Sequence, residues 1–426
     1  MQTHFSAARL NDPKIAEANA ILRSCVHCGF CLPTCPTYAL LGDERDSPRG
    51  RIYLIKDMLE NDRPATGDVA IHIDRCLSCL ACMTACPSGV DYMHLIDQAR
   101  VHVEATYRRP LADRMLRALL AWTLPEPARF RLALRLAGLG RIIGRALRMP
   151  GPVRAMLALA PHSLPPPEPL QETGVHRATG PRRGRVALLT GCAQTVIAPQ
   201  INAATVRLLT RIGFDVVVAE GSVCCGSLTH HMGKAADAKA RARANVLAWC
   251  READGEGLDA IIVNASGCGT TVKDYGHMFA GDAELAEKAR RVRTLARDVC
   301  EFLAGVDFEA AAPKKLRIAY HSACALQHGQ RITDEPRRLL ARVGFEVLDP
   351  PEGHLCCGSA GTYNILQPEI AGALRSRKVA NIESTAPDVI ATGNIGCITQ
   401  IAAGTAIPVV HTVGLLDWAS GGPRPF

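Results

Sequence analysis

The feature that most constrains this chain is a cysteine run that occurs twice. The pattern C-x2-C-x2-C-x3-C-P starts at Cys25 and is repeated 51 residues later, starting at Cys76. Thiolates at this spacing can converge on one 4Fe-4S cluster, and in two-cluster ferredoxins the fourth cysteine of each run binds the other cluster. Structural zinc sites usually pair C-x2-C with a distant second pair, so two compact runs favour iron–sulfur clusters.

Crossed ligation assigns four thiolates to each of two predicted 4Fe-4S clusters. The predicted ligands of the first cluster are Cys25, Cys28, Cys31 and Cys86. The predicted ligands of the second cluster are Cys35, Cys76, Cys79 and Cys82. Two such clusters side by side would form an electron-transfer path.

The length and the other cysteines set the context of these runs. A chain of 426 residues is long enough for two or three domains. Its 18 cysteines would suit a disulfide scaffold only in a short secreted chain, and no N-terminal stretch has the pattern of a secretory signal. We therefore expect a reducing cytoplasm. Because the apolar stretches are broken before the roughly 18 residues that a spanning helix needs, any membrane contact is expected to be peripheral.

The net charge of +8 is concentrated in one segment. Between Arg108 and Arg154 there are eleven arginines against only Asp113 and Glu126. Apolar residues recur among them at helical spacing, which predicts basic amphipathic helices. Such helices can rest on an anionic membrane, dock on an acidic partner, or pack on their own domain as ordinary solvated helices. Aromatic residues make up only 4% of the chain and no recognition motif accompanies the charge, so no nucleic-acid partner is expected.

A proline-rich stretch divides the chain into two parts. Five prolines favour an extended connection here: Pro161, Pro165, Pro166, Pro167 and Pro169. Before this stretch, apolar residues at intervals of three and four predict helices over Pro48 to Leu59 and Tyr92 to Tyr107. We therefore expect helices to flank and separate the two cysteine runs.

The part after the prolines is an internal duplication. Arg207 to Val216 (RLLTRIGFDV) matches Arg338 to Val347 (RLLARVGFEV), and the Cys-Cys-Gly-Ser sequence at Cys224 recurs at Cys356. Each copy reads as strand, Cys, helix, strand, Cys-Cys-Gly, helix, strand, Cys. This alternation predicts a parallel α/β layer in each copy. Because loops at the carboxyl ends of parallel strands converge, we expect the four cysteines of each copy to meet.

Eight cysteines are predicted to form these two sites: Cys192, Cys224, Cys225 and Cys268 in the first copy, and Cys324, Cys356, Cys357 and Cys397 in the second. Four thiolates at a sheet edge could hold a zinc ion, a further iron–sulfur cluster or a redox disulfide, or could be a relic of the duplication. Four nearby histidines are expected to be surface or turn residues rather than ligands: His230, His231, His321 and His354. Cys250 and Cys300 are expected to be small buried apolar residues.

Four stretches carry a family resemblance: Cys25 to Leu59 (CVHCGFCLPTCPTYALLGDERDSPRGRIYLIKDML), Cys76 to Gly89 (CLSCLACMTACPSG), Ala265 to Gly276 (ASGCGTTVKDYG) and His354 to Tyr363 (HLCCGSAGTY). Over nearly its full length the chain resembles the iron–sulfur subunit of bacterial glycolate oxidase. This resemblance implies flavin-binding partner subunits, with FAD on a partner and not on this chain. The same cysteine-rich repeat occurs in an anaerobic glycerol-3-phosphate dehydrogenase subunit, in lactate-utilisation proteins and in heterodisulfide reductase.

The sequence departs from heterodisulfide reductase at one position of each copy. There the repeat ends in C-x2-C and carries an unusual iron–sulfur cluster, whereas here Thr271 and Gln400 stand in place of the final cysteine. The expected sites therefore have four thiolates and not five. No Gly-rich nucleotide-binding turn, carboxylate pair, Ser–His arrangement or P-loop stands out. We therefore expect the substrate chemistry to take place on another chain.

Together these features predict an α+β protein, with a helical dicluster ferredoxin-like N-terminal domain followed by duplicated α/β cysteine-rich (CCG) domains. The predicted units are a dicluster domain over 1–107, an Arg-rich helical segment over 108–160, a Pro-rich linker over 161–184, and the two repeats over 185–312 and 313–426.

The resemblance also implies a function. The chain would take electrons from a flavin partner that oxidises glycolate to glyoxylate, and pass them to an acceptor such as a quinone. It would work in the cytoplasm or at the cytoplasmic face of the inner membrane. Two alternatives stay open: the equivalent subunit of a D-lactate or glycerol-3-phosphate dehydrogenase, and a non-catalytic iron–sulfur or zinc protein that senses redox state.

Overall fold

The N-terminal part of the chain is a set of helices joined by the cysteine loops. It is described here from a computed structural model, which covers residues 1–144, 151–161 and 163–426. The helices are α1 (Ala7–Leu10), α2 (Pro13–Ser24), α3 (Pro36–Leu41), α4 (Pro48–Glu60), α5 (Gly67–Asp74), α6 (Ala81–Thr84) and α7 (Tyr92–Thr106). The two helices predicted from periodicity are confirmed as α4 and α7.

Local sequence explains where these helices begin. Pro36 follows the last cysteine of the first run and stands in the first turn of α3, where its missing amide hydrogen costs nothing. Ser47 caps α4 by accepting a hydrogen bond from the amide of Gly50. Between the helices, the cysteine loops turn through residues with left-handed backbone, such as Gly29 at φ 84°.

The Arg-rich segment forms three further helices: α8 (Leu111–Thr123), α9 (Pro127–Gly144) and α10 (Gly151–Leu159). Not all of its charge faces solvent. Arg109 and Arg117 are buried, and both donate hydrogen bonds to the carboxylate of Asp74 in the ferredoxin-like part. Part of the predicted basic surface is therefore neutralised inside the protein. Arg145 and Arg148 lie outside the described residues. No helix in the described ranges is both long and apolar enough to cross a membrane.

The first repeat is built around a five-stranded sheet with the order β1-β3-β2-β4-β5. Its strands are β1 (Gly174–His176), β2 (Gly184–Leu189), β3 (Phe214–Val218), β4 (Ala260–Val263) and β5 (Ala296–Asp298). Its helices are α11 (Gln194–Ile197), α12 (Gln200–Arg211), α13 (Ser227–His231), α14 (Ala235–Asp254), α15 (Ser266–Lys273), α16 (Tyr275–Met278), α17 (Ala286–Leu295) and α18 (Val299–Ala304). The strands β2 to β5 are parallel, as the alternation predicts.

Strand β1 was not expected, because it lies within the stretch interpreted as a linker, residues 161–184. It pairs antiparallel with the edge of β3. Just beyond it, Arg177 and Arg182 donate hydrogen bonds to the buried carboxylate of Asp215. The end of the proline-rich stretch is therefore part of the first sheet.

The second repeat contains an all-parallel sheet with the order β7-β6-β8-β9. Its strands are β6 (Arg317–Tyr320), β7 (Glu346–Leu348), β8 (Val389–Thr392) and β9 (Val409–His411). Its helices are α19 (Glu335–Arg342), α20 (Tyr363–Leu366), α21 (Pro368–Glu383), α22 (Ile395–Ala402) and α23 (Thr412–Ala419), with a π-helical turn at Ala325–Gly329.

The two repeats share one apolar core. Residues of both central strands, among them Leu188 of β2 and Ile318 of β6, belong to a single buried cluster. At its rim, Arg207 and Arg211 of α12 form ion pairs with the buried Asp417 of α23. The ferredoxin-like part contacts both repeats. The two repeats therefore pack together around one core, and the N-terminal part with its cysteine loops packs against them.

Candidate metal centres

One set of four cysteines, here called the outer set, lines a cavity near the protein surface. Its members are Cys25, Cys28, Cys31 and Cys86, the first group predicted by crossed ligation, and Cys82 of the second predicted group also reaches this cavity. Cys25 ends α2, and Cys86 comes from the other run, beyond α6. Cys28 is exposed and Cys31 and Cys86 are partly exposed. The outer set therefore offers four sulfur donors around one cavity with a solvent-facing side.

The second set, here called the inner set, is buried throughout. Its members are Cys35, Cys76, Cys79 and Cys82. Burial raises the pKa of Cys82 well above that of a free thiol, and the charges of Cys79, Cys76 and Cys35 raise it further. The charge of Cys35, the fourth thiol of the first run, therefore acts on the thiols of the second run, and the charge of Cys31 in the outer set also acts on Cys82. Four crowded, buried thiols suit a metal cluster, because a cluster compensates their negative charge.

A buried arginine supports the inner set. Arg51 is 1% exposed, and its guanidinium donates hydrogen bonds to the carbonyl of His72 and the hydroxyl of Thr37, and approaches Sγ of Cys35 at 3.9 Å. It also pairs with the fully buried Asp46 at 3.4 Å. Burial works against its charge, but the neighbouring charges of Cys76, Tyr92, Cys35 and Asp46 outweigh this and raise the pKa of Arg51. A permanent positive charge therefore lies beside the inner set.

The four cysteines of the first repeat lie together beyond the ends of β2, β3 and β4. Sγ of Cys192 is 3.4 Å from Sγ of Cys224. A hydrogen bond between them raises the pKa of Cys192 and lowers that of Cys224, so this pair can share one proton. Interaction with Cys224 and Cys268, followed by burial, raises the pKa of Cys225. The thiols of this copy thus act on one another.

The turn between the paired cysteines depends on glycine. Gly226 has φ 87°, and a Cβ atom there would lie 2.9 Å from the carbonyl oxygen of Ala238 in α14. Gly358 has φ 89°, and a Cβ atom there would lie 2.7 Å from the carbonyl oxygen of Ala371 in α21. Only a residue without a side chain fits this turn, which directs both cysteines of each pair towards one site.

The second repeat repeats this arrangement, with additional donors. Sγ of Cys324 is 3.7 Å from Sγ of Cys356, and Sγ of Cys357 is 3.4 Å from Sγ of Cys397. A ring nitrogen of His321 lies within 4.8 Å of Sγ of both Cys357 and Cys397. The expectation that this histidine is a surface or turn residue is wrong, since only 3% of it is exposed.

The inner set and the second cysteine site are direct neighbours. Cys79 and Cys356 belong to one buried apolar cluster that also contains Leu77, Leu355 and Tyr363. Burial raises the pKa of Cys79, and the largest of the other contributions is the charge of Cys324. Outer set, inner set and second cysteine site therefore follow one another from the surface inwards.

A further cavity of about 240 Å³ separates the Arg-rich helices from the two repeats. Its outer wall is formed by apolar side chains of α8 to α10, including Leu120 and Phe130. Its inner wall includes Ala193, Ser359 and Gly396. Ala193 follows Cys192, Ser359 follows the glycine after the Cys356–Cys357 pair, and Gly396 precedes Cys397. An apolar ligand in this cavity would therefore lie beside the cysteine sites of both copies.

Comparisons with known proteins agree with this arrangement. The family of 4Fe-4S dicluster domains matches residues 21–90, and the family of cysteine-rich domains matches residues 186–273 and 318–402. The glycolate oxidase iron–sulfur subunit of Escherichia coli (strain K12) is 42% identical to this chain, over 98% of this chain and 99% of its own length. The chain belongs to the family of glycolate oxidase iron–sulfur subunits.

Other members and relatives extend this result. A probable glycolate oxidase iron–sulfur subunit of Bacillus subtilis (strain 168) is 33% identical over 94% of both chains. A lactate utilization protein A of Bacillus licheniformis is 29% identical, over 55% of this chain and 99% of its own length. A solved structure of a hypothetical protein from Helicobacter pylori has a TM-score of 0.52 at 9% identity, and covers 97% of this chain and 73% of that one. It shows similarity of fold alone. The family resemblance and the α+β fold predicted from the sequence are confirmed.

Thr271 and Gln400, which stand where heterodisulfide reductase has the final cysteine of its repeat, take part in other contacts. The hydroxyl of Thr271 donates to the carbonyl of Gly267, and the amide of Gln400 bonds to Ala371 and Asn364. His230 and His231 turn towards the ferredoxin-like part and contact Asp97. Cys250 and Cys300 are buried in apolar clusters, as expected.

Proposed function

We propose that this chain is the electron-transfer subunit of a glycolate oxidase complex. A flavin-bearing partner would oxidise glycolate to glyoxylate, and the eight run cysteines would hold two 4Fe-4S clusters, each of which accepts and donates single electrons when bound. The observation that carries this proposal is the graded burial of the thiols. The outer set reaches the surface, whereas the inner set is buried against the second cysteine site.

The surface beside the outer set has the character of a partner-docking site. Val26 and Phe30 are each 64% exposed and flank Cys28 in sequence, and Tyr53 is 52% exposed and stacks on His27. Large apolar side chains clustered on a surface typically mark contact with another protein. A flavin subunit that docks here would bring its cofactor close to the most exposed of the run thiols. These exposed apolar side chains therefore support the surface around Cys28 as the place where electrons would enter the chain.

The cavity between the Arg-rich helices and the repeats supports a quinone as acceptor. It is apolar and concave, lies between helices, and approaches the cysteine sites of both copies. Next to it, α8 exposes Leu111, Met115, Leu119 and Trp122 along one face. An exposed apolar helix face beside arginines suits contact with the surface of a membrane, where a quinone resides. We propose peripheral attachment of this kind, at the cytoplasmic face.

One observation favours a second substrate. Lactate utilization protein A of Bacillus licheniformis matches 55% of this chain, so a related subunit that serves D-lactate oxidation is the alternative to be tested. The chain itself does not distinguish the two substrates, because the proposed role places the substrate pocket on a partner.

The deciding experiment is co-purification followed by dye reduction driven either by glycolate or by D-lactate. Dye reduction with glycolate and not with D-lactate supports the main proposal, and the reverse result supports the alternative. Phe30→Glu should weaken capture of the flavin subunit, whereas Val175→Glu, at an exposed apolar residue of strand β1, should not. Equal capture by both variants would contradict the docking surface.

The acceptor site needs its own test. Ala133→Phe would fill the cavity, whereas Leu136→Phe, on the exposed side of the same helix α9, would not. We expect the first variant to lose quinone reduction while it keeps reduction of a small water-soluble dye. If quinone reduction is unchanged in Ala133→Phe, the cavity is not the acceptor site.

A further inference from the structure

The two cysteine-rich copies are not chemically equivalent. His321 occupies the position in the second copy that Leu189 occupies in the first, because both lie three residues before the first cysteine of their copy. Leu189 is packed in the apolar core of its repeat, with 2% of its surface exposed. An imidazole at the same buried place therefore needs an explanation other than apolar packing.

The surroundings of His321 provide this explanation. Its Nε2 atom is buried and has no hydrogen-bond partner among the described residues. Leaving a ring nitrogen buried and unpaired costs on the order of 1–3 kcal/mol. The ring lies instead beside two thiols, since one of its nitrogens is within 4.8 Å of Sγ of both Cys357 and Cys397. A metal bound by these thiols would give the imidazole a partner.

The number of donors indicates the class of metal centre. The second copy pairs Cys324 with Cys356 and Cys357 with Cys397, and it places one imidazole beside the second pair. This gives five donors, whereas a structural zinc ion takes four. Iron–sulfur clusters contain several metal ions and accept more ligands, and histidine can replace cysteine as a ligand to their iron. Five donors therefore fit an iron–sulfur cluster better than a single zinc ion.

The charge around the second cysteine site also favours an iron–sulfur cluster. Lys378 of α21 is 1% exposed, and its ammonium group donates a hydrogen bond to the carbonyl of Glu352. Burial opposes the charge of this group, and the charges of Cys357, Cys356 and Cys324 favour it. In the first copy the equivalent residue is Asn245 of α14, since each lies seven residues beyond the alanine that faces the Cys-Cys-Gly glycine. A buried cation replaces a neutral amide only in the copy that has the imidazole. Such a cation stabilises a cluster that carries net negative charge.

We propose that the second cysteine-rich site binds an iron–sulfur cluster to which His321 contributes a nitrogen ligand, whereas the first site has sulfur donors only. This assignment does not depend on which substrate the flavin partner oxidises. The assignment also gives the two copies different roles, because the site that contains the histidine is the one that contacts Cys79 of the inner set.

The test uses the full chain, purified without oxygen and labelled with nitrogen-15 in histidine. Iron and acid-labile sulfide are counted per chain, and pulsed electron paramagnetic resonance is recorded in the reduced and oxidised states. We expect more iron than the about eight atoms of two 4Fe-4S clusters, and a hyperfine coupling from nitrogen-15. His321→Leu, which installs the residue of the first copy, should lose roughly two to four iron atoms, the content of one cluster, together with that coupling.

Two further variants distinguish a ligand from a structural residue. His321→Cys should retain the iron, because a thiolate replaces the imidazole, but should lose the nitrogen coupling. His411→Leu is the matched control, since His411 is equally buried in the same sheet but its ring nitrogens are bonded to the backbone of Asn264 and Val413. It should keep both iron and coupling. Unchanged iron in His321→Leu, a wild-type spectrum without nitrogen coupling, or equal iron loss in His411→Leu would overturn the proposal.

Discussion

Replacing Arg51 by Gln is expected to lower the reduction potential of the cluster that we propose for the inner set. Reduction adds negative charge to a cluster, and the guanidinium of Arg51 stabilises that charge from 3.9 Å away, measured to Sγ of Cys35. Without this positive charge the electron is bound less tightly. The potential of the outer cluster should hardly change, because the side chain is buried against the inner set.

The size of the shift follows from the geometry. At 3.9 Å and an effective dielectric constant of about 20, two unit charges interact by about 4 kcal/mol. The added electron is shared among several atoms, and Asp46 offsets part of the guanidinium charge, so roughly half of this energy remains. A change of about 2 kcal/mol corresponds to about 90 mV for a one-electron couple.

The assay is a redox titration followed by electron paramagnetic resonance, with iron counted in every sample. Arg51→Lys keeps the charge and should shift the potential far less than Arg51→Gln. Arg49→Gln serves as the control beside the outer set, where the arginine side chain is 30% exposed and solvent screens its charge. If Arg51→Gln retains full iron and its inner-cluster potential moves by less than about 20 mV, or moves upwards, the electrostatic reasoning is wrong.

Three other predictions follow from the described contacts. Cys86→Ser should damage the cluster bound by Cys25 and its neighbours, as seen in its resonance signal, and loss of the other signal alone would exclude crossed ligation. Gly358→Ala should lower the iron content of the second cysteine site while both ferredoxin-type signals persist, because a Cβ atom collides with the backbone of α21. Burial opposes the charge of His94, but hydrogen bonds to Asp274 and Asp91 raise its pKa from 6.5 to about 10. The contribution of charged His94 to the free energy of unfolding is therefore complete below pH 6.5 and is lost as the pH rises towards 10. The urea midpoint of His94→Gln should accordingly change less between pH 6.5 and 10 than the midpoint of wild type. The control is His102→Gln on the same helix, which should behave like wild type.

The parts of the fold that repeat in the sequence could be predicted from it. The matched segments at Arg207 and Arg338 revealed the duplication, and strand–helix alternation then required parallel strands whose carboxyl ends meet. Strand β1 could not be predicted in this way. It has three residues, follows a proline-rich stretch, and depends on a tertiary contact with the edge of β3.

The site was predictable where several cysteines share a spacing, and not where one residue acts alone. A single histidine carries no spacing signal, so the sequence favours a surface or turn residue at His321. Its alignment with Leu189 of the first copy is the signal that could have revealed it. The pairing of Arg51 with Asp46, and the burial of Arg109 and Arg117, depend on packing between distant helices and left no pattern in the sequence.

The uneven burial of the run thiols has a consequence for how the protein would fail in air. Dissolved oxygen reaches Cys28 and the edge of the outer set directly, whereas Cys79 is enclosed by the second repeat. With clusters bound as proposed, oxidative damage would begin at the outer cluster. The first effect of exposure would be a block where electrons arrive, while the inner centres stay intact but isolated. Rebuilding one accessible cluster would then restore the whole path.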